Sequence, residues 1–190
     1  MEKIVARIIK CCRITTIVMK NNIKELIIEI KPSHLLPGQI GLFAAREIKQ
    51  GAIVAEASKL GEEFVTWNEF GSVDEITKSK IIQYCLQTND GFYMPPNRDL
   101  NYLTVPWNMN HSCDYNVGFD DVGNFVAVRD IIGGEELVWD YGMGISYTKF
   151  RLTCECGSSG CRGIITGDDW KNKEFKEKNS KYFLRELLNS

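Results

Sequence analysis

Proline is scarce in this chain, with 5 residues, and glycine, at 16, is too sparse for a collagen or low-complexity sequence. There is no excess of positive charge: 23 Lys and Arg face 25 Asp and Glu, for a net charge of −2. Nothing in that balance neutralises a phosphate backbone, so direct nucleic-acid binding is not expected. No window approaches the roughly 18 apolar residues of a membrane span, so no membrane association is expected either. The N-terminal apolar patches are broken by Arg7, Lys10 and Arg13, and no small-residue cleavage site follows. There are only two histidines, His34 and His111, which excludes a three-histidine catalytic zinc site. C-x-x-C is missing, as is G-x4-G-K, and Gly142-Met143-Gly144 has Tyr147 where a dinucleotide fingerprint needs its third glycine. Thiol redox, phosphate-loop and dinucleotide chemistry are thereby set aside.

What is there looks globular: 44% hydrophobic and 25% charged residues over 190 positions, with no internal repeat and no Pro/Ser-rich linker. Residues 12–30 read as a hairpin turning at Lys20-Asn21-Asn22, and a second extended pair spans Arg46 to Glu56 with Gly51 at the bend. Ser72-Val73-Asp74-Glu75 has the form of a capping box opening a helix from about Val73 to Thr88. Phe125–Val128 and Glu136–Trp139 read as short strands joined through Gly133-Gly134. A last helix is expected from about Lys181 to Leu188. Many short strands and few helices predict a β-rich α+β fold.

Seven cysteines are an odd number, which argues against a closed disulfide framework and for an intracellular, reducing setting with free thiols. Three of them form Cys154-Glu155-Cys156-Gly157-Ser158-Ser159-Gly160-Cys161, a C-x-C-x4-C loop. Glycines between thiolates let a chain curl around zinc, but three ligands leave a tetrahedral structural site one short. Cys113, in the polar run Asn110-His111-Ser112-Cys113-Asp114-Tyr115-Asn116, is the obvious fourth donor. The competing reading is ordinary buried cysteines or a redox pair, and a Gly/Ser-rich loop is an uncommon place for either. Cys11, Cys12 and Cys85 read as core or surface thiols.

Four segments together resemble the SET-domain protein-lysine methyltransferases. Gly38-Gln39-Ile40-Gly41-Leu42-Phe43-Ala44 is similar to the family's G-x-G-L-F-A. Asn110-His111-Ser112-Cys113 matches N-H-S-C, and Gly134-Glu135-Glu136-Leu137 through Asp140-Tyr141-Gly142 matches G-E-E-L…D-Y-G. Cys154, Cys156 and Cys161 match the post-SET zinc motif. The resemblance spans roughly Pro32 to Arg162. It implies several small twisted sheets with a knot-like threaded segment. The implied division is an N-terminal hairpin extension over 1–31, a SET domain over 32–149, and a post-SET zinc segment with a C-terminal helix over 150–190.

The resemblance further implies S-adenosylmethionine bound by Gly41, Leu42, Phe43, Asn110, His111 and Tyr141, with Tyr141 at the reacting centre. It implies one structural Zn2+ on Cys113, Cys154, Cys156 and Cys161. The partner is a protein or peptide lysine, histone or other. A lysine channel is expected to be lined by aromatics, among them Phe119, Trp139 and Tyr102. Neither Phe119 nor Trp139 carries a hydroxyl to anchor a methyl-limiting water, so di- or trimethylation is the expected product. Two positions depart from the family pattern: Tyr115 replaces a common Pro, and Glu56-Ala57 replaces a glutamate-tyrosine pair. The alternative function is a degenerate, zinc-stabilised SET domain that binds peptide without turnover.

Overall fold

The computed structural model describes residues 25–57 and 63–188. The main sheet has the order β1 (Ile28–Pro32), β2 (Ile40–Ala44), β9 (Glu136–Trp139), β7 (Val117–Phe119), β8 (Phe125–Ala127), β3 (Ile53–Ala55). A short β6 (Asn110–His111) also pairs with β9. Two-stranded sheets are made by β4 (Glu63–Thr66) with β5 (Gly91–Met94), and by β10 (Arg151–Thr153) with β11 (Ile164–Thr166). The described α-helices are α1 (Trp67–Phe70), α2 (Glu75–Tyr84), α3 (Lys173–Asn179) and α4 (Arg185–Leu188). This is the expected β-rich α+β arrangement of small sheets with few helices.

Strand β9 organises the molecule. It runs antiparallel to β2 on one side and parallel to β6 and β7 on the other. All four of its residues are buried, as a strand covered on both sides must be. Asn116 completes the parallel seam: its side chain donates to Glu136 O at 2.8 Å and accepts from Val138 N at 2.9 Å. A buried amide with both ends paired in this way replaces ladder bonds that the two-residue β6 is too short to supply. Leu42, Val117, Phe119, Leu137 and Trp139 close the core around it.

Several local expectations are corrected by pairing between distant segments. The first strand of the 12–30 hairpin lies outside the described residues; β1 begins at Ile28 and pairs forward with β2. Residues 46–56 do not fold on themselves. Ile48 bridges Ile131, and β3 pairs with β8. Strands β8 and β9 are not partners, because β7, missed in the sequence, lies between them. A tight turn makes the β7–β8 hairpin: Asp120 Oδ1 accepts from Val122 N and Asn124 N, and Gly123 takes φ +84°. Gly134, at φ +86°, instead leads the chain to β2, with its amide donating to Ala44 O.

Helix α2 begins two residues later than expected. Its cap is Asp74, which accepts from Ile76 N and Thr77 N at 3.0 Å each, not Ser72. It ends at Tyr84, and Ile76 is exposed whereas Ile81 is buried. At the C-terminus two short helices with an intervening 3-10 turn replace the single one expected. Phe183 and Leu187 pack on Met143, beneath the Asp140–Tyr141–Gly142 turn.

Candidate active site and metal centre

Tyr141 follows β9 in a 3-10 turn. Its amide donates to His111 Nδ1 at 3.1 Å, and its hydroxyl donates to Met109 O at 3.1 Å. With its proton committed to a carbonyl, the phenol oxygen keeps lone pairs for another donor. Burial pushes the phenol pKa well above its ordinary value, so Tyr141 is a neutral group and not a base at neutral pH.

Tyr141 borders two cavities. The larger, about 870 Å³, runs between the Gly38–Ile40 segment and the Arg151–Cys156 segment, with Asn110 and His111 between them. The smaller, about 70 Å³, is a narrow apolar pocket walled by Trp107, Met109, Phe125, Trp139, Ile145 and Phe150. Tyr141 shares this position with Ile82, Gln83, Tyr84, Gln87, Trp107, Met109 and Phe150, which also line both. One volume is in the range of small-molecule sites and the other admits only a slender group.

The glycine-rich segment sits differently from the expectation. Gly38, Gln39 and Ile40 face the large cleft, whereas Leu42 and Phe43 are buried behind it at 0% and 1% exposure. Gly41 answers to a protein group: a Cβ there would lie 2.4 Å from Glu136 Oε1 and 2.8 Å from its Cδ. Glu136, in turn, accepts from Ser33 Oγ at 2.8 Å, His34 N at 2.8 Å and Asn110 Nδ2 at 3.1 Å. Asn110 Nδ2 also donates to Ile40 O at 2.9 Å, holding the wall of the cleft. Sequence reasoning missed Glu136 because a glutamate in a buried strand carries no marker of the loop it braces.

Of the proposed channel aromatics, Trp139 lines the narrow pocket. Phe119 does not. It lies in the core behind Trp139, edge-on at 5.2 Å between ring centroids, and leans on Gly144. Tyr102 is 58% exposed and touches neither cavity, because a 3-10 turn carries it outward. Phe125, Trp107 and Phe150 take the wall positions; hydrophobic patterning marks them as core and cannot separate a pocket wall from a filled interior.

The four cysteines named from the sequence come together. One ligand atom from each of Cys113, Cys154, Cys156 and Cys161 lies within 4.8 Å of the others. Cys113 Sγ is 3.9 Å from Cys154 Sγ, which is 3.7 Å from Cys161 Sγ. A tetrahedral zinc with Zn–S bonds of about 2.3 Å has S···S edges of about 3.8 Å, so this sulfur set fits a closed four-thiolate site. Burial opposes ionisation of Cys156, but the Ser158 hydroxyl at 3.3 Å and backbone amides bring its thiol down to about 5. Arg162 N donates to Cys113 Sγ at 3.4 Å, and His111 Nε2 stands 3.6 Å from the same sulfur. Burial lowers the His111 pKa to about 4, outweighing nearby Asp140, so the imidazole is neutral. Its Nδ1 accepts from Tyr141 N, which leaves Nε2 as the protonated nitrogen facing the sulfur.

Comparison with known proteins identifies the family. Residues 39–142, more than half of the chain, match the family model described as SET domain. A variant-silencing SET domain-containing protein of Plasmodium falciparum is 29% identical over 132 residues, covering 64% of this chain and 5% of that protein. The histone-lysine N-methyltransferase ASHH2 of Arabidopsis thaliana is 37% identical over 68 residues, 32% of this chain and 4% of its own length. The chain thus spans about a twentieth of either relative.

Proposed function

The chain belongs to the SET-domain family, and from that premise we propose that it is an S-adenosylmethionine-dependent protein-lysine N-methyltransferase. The observation that carries the reading is Tyr141, set where a wide cleft meets a narrow apolar pocket, with its hydroxyl proton held by Met109 O. The large cleft has the volume for the cofactor, and Gly38–Ile40, Asn110, His111 and Arg151–Cys156 would hold it. The mostly apolar lining of the smaller pocket would suit a lysine side chain. On this reading residues 32–149 form the SET domain, while the segment from 150 onward closes the cofactor cleft and binds one structural zinc. Cys113, Cys154, Cys156 and Cys161 would be its ligands.

The cofactor supplies an electrophilic methyl group; the residues of this chain supply alignment and desolvation. A free lysine has a pKa near roughly 10.4. Walls such as Trp139 and Ile145 offer no counter-ion, so an ammonium entering the pocket is disfavoured and its proton passes to water. The Tyr141 hydroxyl, already donating to Met109 O, accepts an N–H of the amine and fixes the direction of its lone pair. Near-attack placement of this kind contributes on the order of 7–11 kcal/mol. The substrate is a lysine in a protein, with histones among the candidates that the name of the Arabidopsis relative suggests.

The deciding experiment incubates the protein with labelled S-adenosylmethionine and a cell lysate and maps modified lysines by mass spectrometry. Label on lysine, lost in Tyr141→Phe with cofactor binding retained, is the expected result. Cofactor binding without transfer to any protein would turn the reading into a peptide-binding module. Absence of both would overturn it.

A further inference from the structure

Arg162 directly follows the last cysteine of the metal cluster, and nothing in the reaction described above uses it. Its guanidinium nonetheless reaches the turn that carries Tyr141. Nη1 donates to Asp140 Oδ2 at 2.6 Å and Nη2 to Asp140 Oδ1 at 2.7 Å, a two-pronged pair with a carboxylate at 0% exposure. Asp140 Oδ1 also accepts from Gly142 N at 2.9 Å, so this carboxylate closes the turn around Tyr141. The guanidinium itself is braced: Nε donates to Asp169 Oδ2 at 3.1 Å, and the Phe175 ring lies 4.7 Å away. The Arg162 amide meanwhile donates to Cys113 Sγ at 3.4 Å.

We propose that Arg162 is a positioning residue, which transmits the ordered state of the cysteine cluster to Tyr141 through the Asp140 carboxylate. The proposal rests on the methyltransfer reading for its kinetic consequences, but not for its structural ones. Only a planar fork can grip both carboxylate oxygens while its third nitrogen is held elsewhere. Asp140 is adjacent to Tyr141, so rotation of the carboxylate moves the turn and with it the hydroxyl on Met109 O. Misplacing a reacting group by about 1 Å is enough to cost on the order of 100-fold in rate. The cofactor cleft does not include Arg162, so affinity for the cofactor should be spared.

The test uses Arg162→Lys, which keeps a charge for Asp140 but not the fork, and Arg162→Met, each alone and combined with Tyr141→Phe. Zinc content, cofactor affinity, kcat and amide hydrogen exchange are measured on the whole protein. We expect kcat to fall about tenfold in Arg162→Lys and about 100-fold in Arg162→Met, with zinc and cofactor affinity within twofold of the parent. Each double variant should be no slower than Tyr141→Phe alone, because both changes remove the same contribution. Exchange should rise in peptides covering 138–146 and stay unchanged in the β7–β8 hairpin. Losses that multiply in the double variants, or kcat within twofold of the parent in Arg162→Lys and Arg162→Met, would overturn the proposal. So would zinc loss in both single variants, since Arg162 would then only hold the metal loop. If the parent transfers no methyl group at all, the function reading fails, and exchange over 138–146 decides the role of Arg162 by itself.

Discussion

Replacing Gly41 by alanine separates two explanations of one glycine. If Gly41 only lets a cofactor approach the backbone, Gly41→Ala weakens cofactor binding and leaves the free protein as stable as before. The geometry gives a different outcome. The new methyl would stand 2.4 Å from Glu136 Oε1, so the carboxylate has to leave its position. Glu136 is 8% exposed, and its carboxylate holds Ser33 Oγ, His34 N and Asn110 Nδ2. Hydrogen bonds to a charged group contribute about 1.5–3 kcal/mol each, and losing two of the three costs about 3 kcal/mol or more. For a domain of this size that corresponds to a Tm lower by about 6–12 °C. Thermal unfolding without cofactor reads it directly. A second arm combines the change with Glu136→Ala, which removes the obstacle and the acceptor together. The double variant should be little less stable than Glu136→Ala alone, because the clash no longer exists. An unchanged Tm in Gly41→Ala, or fully additive losses, would refute the packing explanation.

Further expectations follow from the same geometry. Protein purified without chelators should contain one zinc per chain by elemental analysis, and Cys161→Ser should lose it and loosen the Arg151–Cys156 wall of the cleft. Asn110→Ala should weaken cofactor binding through the same wall, because it releases Ile40 O, and calorimetric titration would detect the change. With Trp139 facing the narrow pocket, the product should pass beyond one methyl group, and Trp139→Tyr should shift it toward monomethyl-lysine. Phe119→Tyr should change stability and not product, and a mass-spectrometric time course separates the two. The rate should rise with pH as the substrate amine deprotonates and should not turn down near pH 10. Burial raises the Tyr141 phenol, so the stability gained from its neutral form is complete below about pH 10 and is lost only as pH climbs toward the folded-state pKa.

The site shows where reading along the chain succeeds. Cys154, Cys156 and Cys161 lie within eight residues, and a short Gly/Ser loop leaves few other things for them to do. Tyr141 and Asn110 stand in short motifs, and both line the larger cleft. By contrast, Phe119 and Trp139 are both buried aromatics on neighbouring strands, and only the packing shows that one faces a pocket while the other stands behind it. Tyr102 has the aromatic chemistry of a channel residue, but the turn at Leu100–Tyr102 sends it to solvent.

By itself the sequence determined the β-rich class, the three-cysteine C-x-C-x4-C loop and the family. Each of these depends on residue types at short, fixed spacings, where local geometry leaves little freedom. Tertiary structure decided the rest. Strand β9 meets β6 and β7 in parallel, across a separation of about twenty to thirty residues, and no local pattern encodes that choice. The same long-range pairing put Glu136 against Gly41 and Tyr141 over Met109 O. The folding-back of the cysteine loop set Arg162 on Asp140. These contacts join residues far apart in the chain, so they exist only once the strands have chosen their neighbours.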